Sequence, residues 1–163
     1  YQSEVRWCQQ ADVTAAAHDA MSEIRLVSVY KVTQAPGLLY EFLRERLQHP
    51  ETNISHQKLP PMKKHLAFFN SRPYRGWYLL QRKDTRTCVG ACYLTRQSEV
   101  GIYVVPGERG KGYATQAIDA LRDLYQGPML ANVNPANEAS RAFFERQGGR
   151  LLQVTYELPR RSR

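Results

Sequence analysis

The sequence predicts a mixed α+β domain, a central and mostly antiparallel sheet of six to seven strands flanked by about four helices. Three observations predict it. Segments of period-two alternation and segments with apolar residues three or four apart succeed one another along the chain. Three strand segments, 76–81, 88–95 and 99–105, are joined by short polar turns, the pattern of an antiparallel meander. A length of 163 residues is that of one domain, enough to bury a core without a disulfide or metal staple.

Residues 1–20 differ from the rest of the chain, with one basic residue (Arg6) and three acidic ones (Glu4, Asp12, Asp19). Asp12 or Thr14 would cap a short helix there. Met21-Ser-Glu-Ile reads like a natural start, so 1–20 is read as an extension, an added helix or residues foreign to the fold, and 21–163 as the domain. The first strand is 24–32 (IRLVSVYKV), alternating and β-branched. Leu38, Leu39, Phe42, Leu43 and Leu47 place a helix at 36–47. The polar stretch 53–61 ends in Pro-Pro and reads as a loop. A second helix lies at 62–70 with Leu66 and Phe69; His65, beside Lys63 and Lys64, reads as a surface residue. Beyond the meander, Ala114, Ala117, Ile118, Leu121 and Leu124 mark one buried helix face, stopped by Gly127-Pro128. A short strand at 129–133, a helix at 137–147 ended by Gly148-Gly149, and a last strand at 151–158 complete the order.

Composition narrows the function. Hydrophobic residues are 42% and charged residues 23% of the chain, which excludes a wholly disordered or fibrous protein, and no apolar run is long enough to span a bilayer. Cys8, Cys88 and Cys92 are odd in number and form no CxxC, so neither a disulfide framework nor a metal site is expected; reduced thiols and a cytoplasmic location are. The net charge of +8 suits a phosphate-rich partner. Nucleic acid is not that partner, because no basic helix or basic-aromatic array occurs, and no membrane partner is expected.

The informative stretch is a strand, then Arg109-Gly110-Lys111-Gly112-Tyr113-Ala114, then an amphipathic helix. Glycines at a helix start let backbone N–H groups face outward as an anion cradle, and the helix dipole and two cations add positive potential. The pattern is neither GxxxxGK[ST] nor GxGxxG, so P-loop and Rossmann readings fail.

Through Arg109, Gly112 and Ala114 the loop resembles the Q/R-x-x-G-x-G/A signature of the GCN5-related N-acetyltransferases (GNAT). The run from Asn137 through Phe143, Phe144, Glu145 and Arg146 to Gly148 resembles that family's second signature, and the order of elements agrees. The resemblance implies acetyl-CoA as acetyl donor, with no metal. The amides of Arg109, Gly110, Lys111, Gly112, Tyr113 and Ala114 would hold its pyrophosphate. Val104 and Val105 would pair main-chain groups with the pantetheine arm, in a gap where the fourth and fifth strands splay apart. Asn137 would bond the pantetheine chain, and an N–H near Val104 would polarise the thioester carbonyl.

Glu99 is the base candidate for removing a proton from the acceptor ammonium. The family's usual tyrosine acid is replaced by Phe144, which cannot donate a proton; Tyr103 and Tyr113 are the nearby hydroxyls. Gly149 stands where the family usually has an aromatic.

The acceptor side would be built by the 53–61 loop and the meander, with His56, Trp77 and Tyr93 as substrate-binding candidates. A second resemblance, through the stretches at 46–51, 65–69 and 77–80, is to enzymes that acetylate 4-amino sugars carried on UDP. The acceptor is thus expected to be a primary amine on a small molecule, with a nucleotide-linked amino sugar as the specific case. Acetylation of a protein N-terminus or lysine, and acyl-CoA binding without catalysis, are the competing readings. Dimers are common in the family, but no interface stripe is visible in this sequence.

Overall fold

A computed structural model describes residues 21–52 and 58–159. Four strands form one antiparallel sheet in the order β1 (Ile24–Ser28), β2 (Gly76–Arg82), β3 (Cys88–Leu94), β4 (Val100–Val104). Helices α1 (Ala35–Arg46) and α2 (Met62–Asn70) lie between β1 and β2, and α3 (Tyr113–Leu124) and α4 (Glu138–Arg146) come after β4.

Period-two alternation sends each strand's side chains to opposite faces. Trp77 and Leu79 of β2, Ala91 of β3 and Tyr103 of β4 turn to one face, where they meet Leu39 and Phe42 of α1 and Phe69 of α2. Leu80, Cys92, Leu94 and Val100 turn to the other face and meet Ala117, Ile118 and Leu121 of α3. The apolar stripe of α3 is therefore what fixes it to the sheet. Leu80, Leu94 and Leu121 are fully buried, each contributing about 1.5–3 kcal/mol through apolar burial.

The structure departs from the sequence expectations at several places. The first strand stops at Ser28 and continues as a 3-10 turn over Val29–Lys31. His65, expected on the surface, is buried (6% exposed): its Nε2 donates to the carbonyl of Pro36 at 2.8 Å, and its ring meets the edge of Tyr40. Four strands form among the described residues, not six or seven. The expected fifth strand at 129–133 is reduced to one parallel bridge, Glu99 with Leu130. The expected last strand at 151–158 has no strand partner among the described residues, and Leu151, Tyr156 and Leu158 stand exposed. Alternation made that segment strand-like, but a strand also needs an edge to bond.

Candidate active site

The chain turns from sheet to helix through two left-handed residues. Gly110 (φ +77°) and Gly112 (φ +80°) adopt backbone conformations that a Cβ disfavours. Gly112 occupies the position before the first turn of α3, and no side chain caps the helix. The first N–H groups of a helix lack intrahelical acceptors, so the N-terminus of α3 presents bare donors. A Cβ on Gly110 would meet nothing within 4 Å, so packing does not require that glycine; the turn does.

The two cations of the loop are already engaged. Lys111 Nζ pairs with Glu108 Oε2 at 2.8 Å. Arg109 Nε donates to the Val104 carbonyl at 2.9 Å, and its guanidinium lies over the Tyr103 ring. The loop therefore carries about one net positive charge from side chains rather than two. The Tyr113 side chain is buried in the core between α3 and the sheet (3% exposed), leaving only its main chain to the loop.

Strand β4 joins this loop to the second half of the site. Val105 N–H donates to the Val89 carbonyl at 2.9 Å. In an antiparallel ladder the alternate residues then face the other way, so Val100, Ile102 and Val104 turn their main-chain groups to the open edge. At Val100 that edge is occupied, its N–H bonded to the Leu130 carbonyl at 2.7 Å. Beyond it no further bridge joins the two segments among the described residues.

A cavity of about 590 Å³ lies against β4, between the 132–144 segment and helices α1 and α2. Its size is that of a small-molecule site. It brings together Glu99, Trp77, Tyr93, Asn137 and Phe144. His56 lies outside the described residues. The loop residues Arg109 to Ala114, with Val104 and Val105, lie beyond the cavity's lining at the far end of β4.

Glu99 is half-buried; its Oε1 accepts from Asn132 Nδ2 at 2.9 Å, and its main chain is tied to Thr95. Asn137 caps α4, its Oδ1 accepting from the Ser140 N–H at 3.0 Å, which leaves its Nδ2 donor for the cavity. Tyr103 donates its hydroxyl to Glu45 Oε2. Burial, with the Glu45 carboxylate beside it, raises the Tyr103 pKa and holds the phenol protonated. Phe144 brings only a ring, edge-on to Phe143.

The aromatic wall is layered. The Tyr74 and Tyr93 rings stack at 4.3 Å and 9°, and Trp77 meets Tyr74 edge-on at 4.9 Å. Gly101, opposite Tyr93 in the β3–β4 register, leaves the space that the Tyr93 ring fills. Trp77 is mostly core (8% exposed) yet still reaches the lining.

Sequence reasoning missed several cavity residues, among them Arg46, Lys64, Tyr74 and Asn132. Arg46 carried a signal: it comes after Leu39, Phe42 and Leu43 at helical spacing, on the face of α1 that turns inwards.

The family model described as the acetyltransferase (GNAT) family matches residues 39–149, more than half of the chain. The chain belongs to this family.

Solved structures agree in fold. A domain from Methanocaldococcus jannaschii aligns with a TM-score of 0.66 at 16% identity, over 83% of this chain and 94% of that one. The AAC(6')-Iy structure, in complex with the bisubstrate analog CoA-S-monomethyl-acetylneamine, aligns at 0.60 and 17% identity, over 85% and 97%. A Salmonella typhimurium protein solved with its cofactor acetyl-CoA aligns at 0.56 and 20% identity, over 77% of each chain. A comparison with curated proteins gives no match. The mixed α+β fold of the GNAT family is thereby established. Among the described residues no helix is long and apolar enough to cross a membrane, and no cluster of three or more His, Cys, Asp or Glu could hold a metal.

Proposed function

We propose that this GNAT protein moves an acetyl group from acetyl-CoA to a primary amine of a small molecule. One observation carries the reading: a carboxylate on a small-molecule cavity, Glu99, immediately precedes β4, and the turn after β4 leads to a helix start with bare amides at Gly112. The strand between them is itself roughly 17 Å long at 3.4 Å per residue.

The residues suit the donor. The positive-φ glycines and uncapped amides of 109–114 make a cradle for a diphosphate. Val104 offers an outward N–H at the open edge, and Asn137 a free amide donor. When bound, acetyl-CoA supplies an acyl carbon activated as a thioester. Val104 N–H would be the donor to the thioester carbonyl oxygen as negative charge develops there, in the manner of an oxyanion hole. Glu99 takes the proton from the acceptor ammonium, directly or through water, which frees the nitrogen lone pair to attack. Asn132 holds the Glu99 carboxylate by its Oε1, so the other oxygen is left to the substrate. As the new C–N bond formed the C–S bond would break, the nitrogen's remaining extra proton would pass to the departing sulfur or to water, and CoA would leave as thiol or thiolate. A thiol pKa near 8.5 makes it a tolerable leaving group without an acid at Phe144.

Trp77, Tyr93 and Tyr74 would lie against the acceptor, and His56 is the further candidate from the 53–61 loop. The specific acceptor suggested by sequence resemblance is a nucleotide-linked amino sugar. A thiol-release assay across amines tests the reading. Turnover on small amines supports it, turnover on peptides alone supports protein acetylation, and tight acetyl-CoA binding with no turnover supports the binding module that Phe144 favours.

A further inference from the structure

Tyr74, Tyr93 and Tyr103 line the cavity, and their hydroxyls are disposed differently. Tyr103 donates its hydroxyl to Glu45 Oε2, and burial beside that carboxylate raises its pKa. Burial also raises Tyr74, whose ring is covered by Tyr93 and met edge-on by Trp77 and Phe68. Tyr113, near the loop in sequence, has its side chain in the core against α3.

Tyr93 is placed otherwise. It is half-buried, and its Oη has no hydrogen-bond partner among the described residues. In the β3–β4 register it stands opposite Gly101, and a Cβ built on Gly101 would run into the Tyr93 Cζ, Cε1 and Oη. The phenol end therefore lies across the β4 backbone at the one strand residue with no side chain to block it. The stack on Tyr74, at 4.3 Å, holds the ring there.

The cavity reaches β4 from Glu99, just before the strand, as far as Tyr103. Residues 99, 101 and 103 share one face of the strand. Gly101 lies midway, roughly 7 Å from each of the other two at 3.4 Å per residue. An acyl group that comes along the β4 edge from Val104 to meet an amine at Glu99 thus passes the Tyr93 hydroxyl.

We propose that Tyr93 is a catalytic residue, a proton shuttle between the acceptor nitrogen and the CoA sulfur. The inference rests on the acetyltransferase reading. Glu99 removes the first proton of the ammonium. As the C–N bond forms and the C–S bond breaks, Tyr93 Oη takes the nitrogen's remaining extra proton and gives its own to the sulfur. This leaves CoA as the thiol and the phenol neutral, as it began. The shuttle needs a hydroxyl that both donates and accepts, as a phenol does, and that no protein group already holds. Tyr103 fails the second condition, and Phe144 has no hydroxyl.

Tyr93→Phe removes the hydroxyl and keeps the ring, its stack and its place over Gly101. With glucosamine as probe amine and saturating acetyl-CoA, kcat should fall about tenfold to a hundredfold while KM changes less than about threefold. A thiolate leaves tolerably unaided, which sets the loss at the low end of what a positioned acid supplies. Tyr103→Phe should cost far less in kcat. Calorimetry at about pH 8.5, where much of the thiol is ionised, then compares CoA with desulfo-CoA, which lacks the sulfur. The wild type should bind CoA about threefold to tenfold more tightly, through one hydrogen bond to the sulfur. In Tyr93→Phe that gap should close, with desulfo-CoA affinity unchanged. An unchanged kcat in Tyr93→Phe, a larger loss in Tyr103→Phe, or a CoA preference that survives the substitution would overturn the proposal. If the wild type turns over no amine, the transferase reading fails on its own, and the calorimetric comparison alone decides whether Tyr93 Oη reaches the sulfur.

Discussion

Asn132 Nδ2 donates to Glu99 Oε1 at 2.9 Å, beside the single parallel bridge between Glu99 and Leu130. The bond fixes the only carboxylate on the cavity's lining among the described residues. It also marks which of its oxygens is left for a substrate.

Glu99→Gln removes the proton acceptor and keeps the shape. Turnover at neutral pH should fall by about 10²–10⁴, with acetyl-CoA affinity unchanged. The deficit should shrink as pH rises and free amine accumulates without help. Asn132→Ala should give a smaller loss in kcat of the same pH character. A pH–rate series on both variants checks this, and an unaltered rate in Glu99→Gln removes Glu99 from the chemistry.

Gly101→Ala would put a methyl group where the Tyr93 ring lies. The ring must then leave its stack on Tyr74, a contact of about 0.5–1.5 kcal/mol beyond area burial. The thermal midpoint should drop, and KM for the acceptor should rise more than KM for acetyl-CoA. Equal effects on both KM values would place Tyr93 outside the acceptor half.

The chain's strand and helix order is largely legible because it rests on local periodicity. The second helix at 62–70 and the meander stand where the pattern puts them, and the Gly110–Gly112 turn has the positive φ that its glycines foretell. Tertiary choices are not legible in the same way. His65 is inside because the Pro36 carbonyl stands within reach, a contact that neighbours such as Lys63 and Lys64 do not reveal. The Lys111–Glu108 pair cancels a charge that sequence alone assigns to the anion cradle. Residues 151–158 alternate well but pair with no strand among the described residues. Arg46 is legible in principle, from its spacing to Phe42 and Leu43.

Stability should decline at alkaline pH. Burial raises the Cys88 and Cys92 thiols from 9.0 to about 12. Below pH 9 both folded and unfolded chains keep these protons, and the stabilisation is complete. Above it the unfolded chain sheds them while the folded one does not, so stability falls as pH rises towards 12, by about 1.4 kcal/mol per thiol per pH unit. Half-buried Tyr78 and buried Tyr103, also raised, steepen the loss above pH 10. Urea midpoints at pH 7, 9 and 10 check the sign, and a Cys88→Ala, Cys92→Ala variant should show a shallower slope.

Leu121→Ala on α3 should cost about 2–5 kcal/mol, because a fully buried side chain anchors that helix to the sheet. Since α3 also presents the amides of the proposed anion cradle, acetyl-CoA affinity should weaken along with stability. Denaturant unfolding and a cofactor titration on the same sample measure both.

The most direct test is a calorimetric titration of acetyl-CoA into the wild-type protein and into Gly112→Glu, with circular dichroism confirming that both are folded. The wild type should bind clearly, and the variant should lose at least about a hundredfold in affinity, from a carboxylate set against the diphosphate and a strained turn. Equal affinity in the two folded proteins would contradict the cradle at Gly112, because the diphosphate would then sit somewhere other than the start of α3.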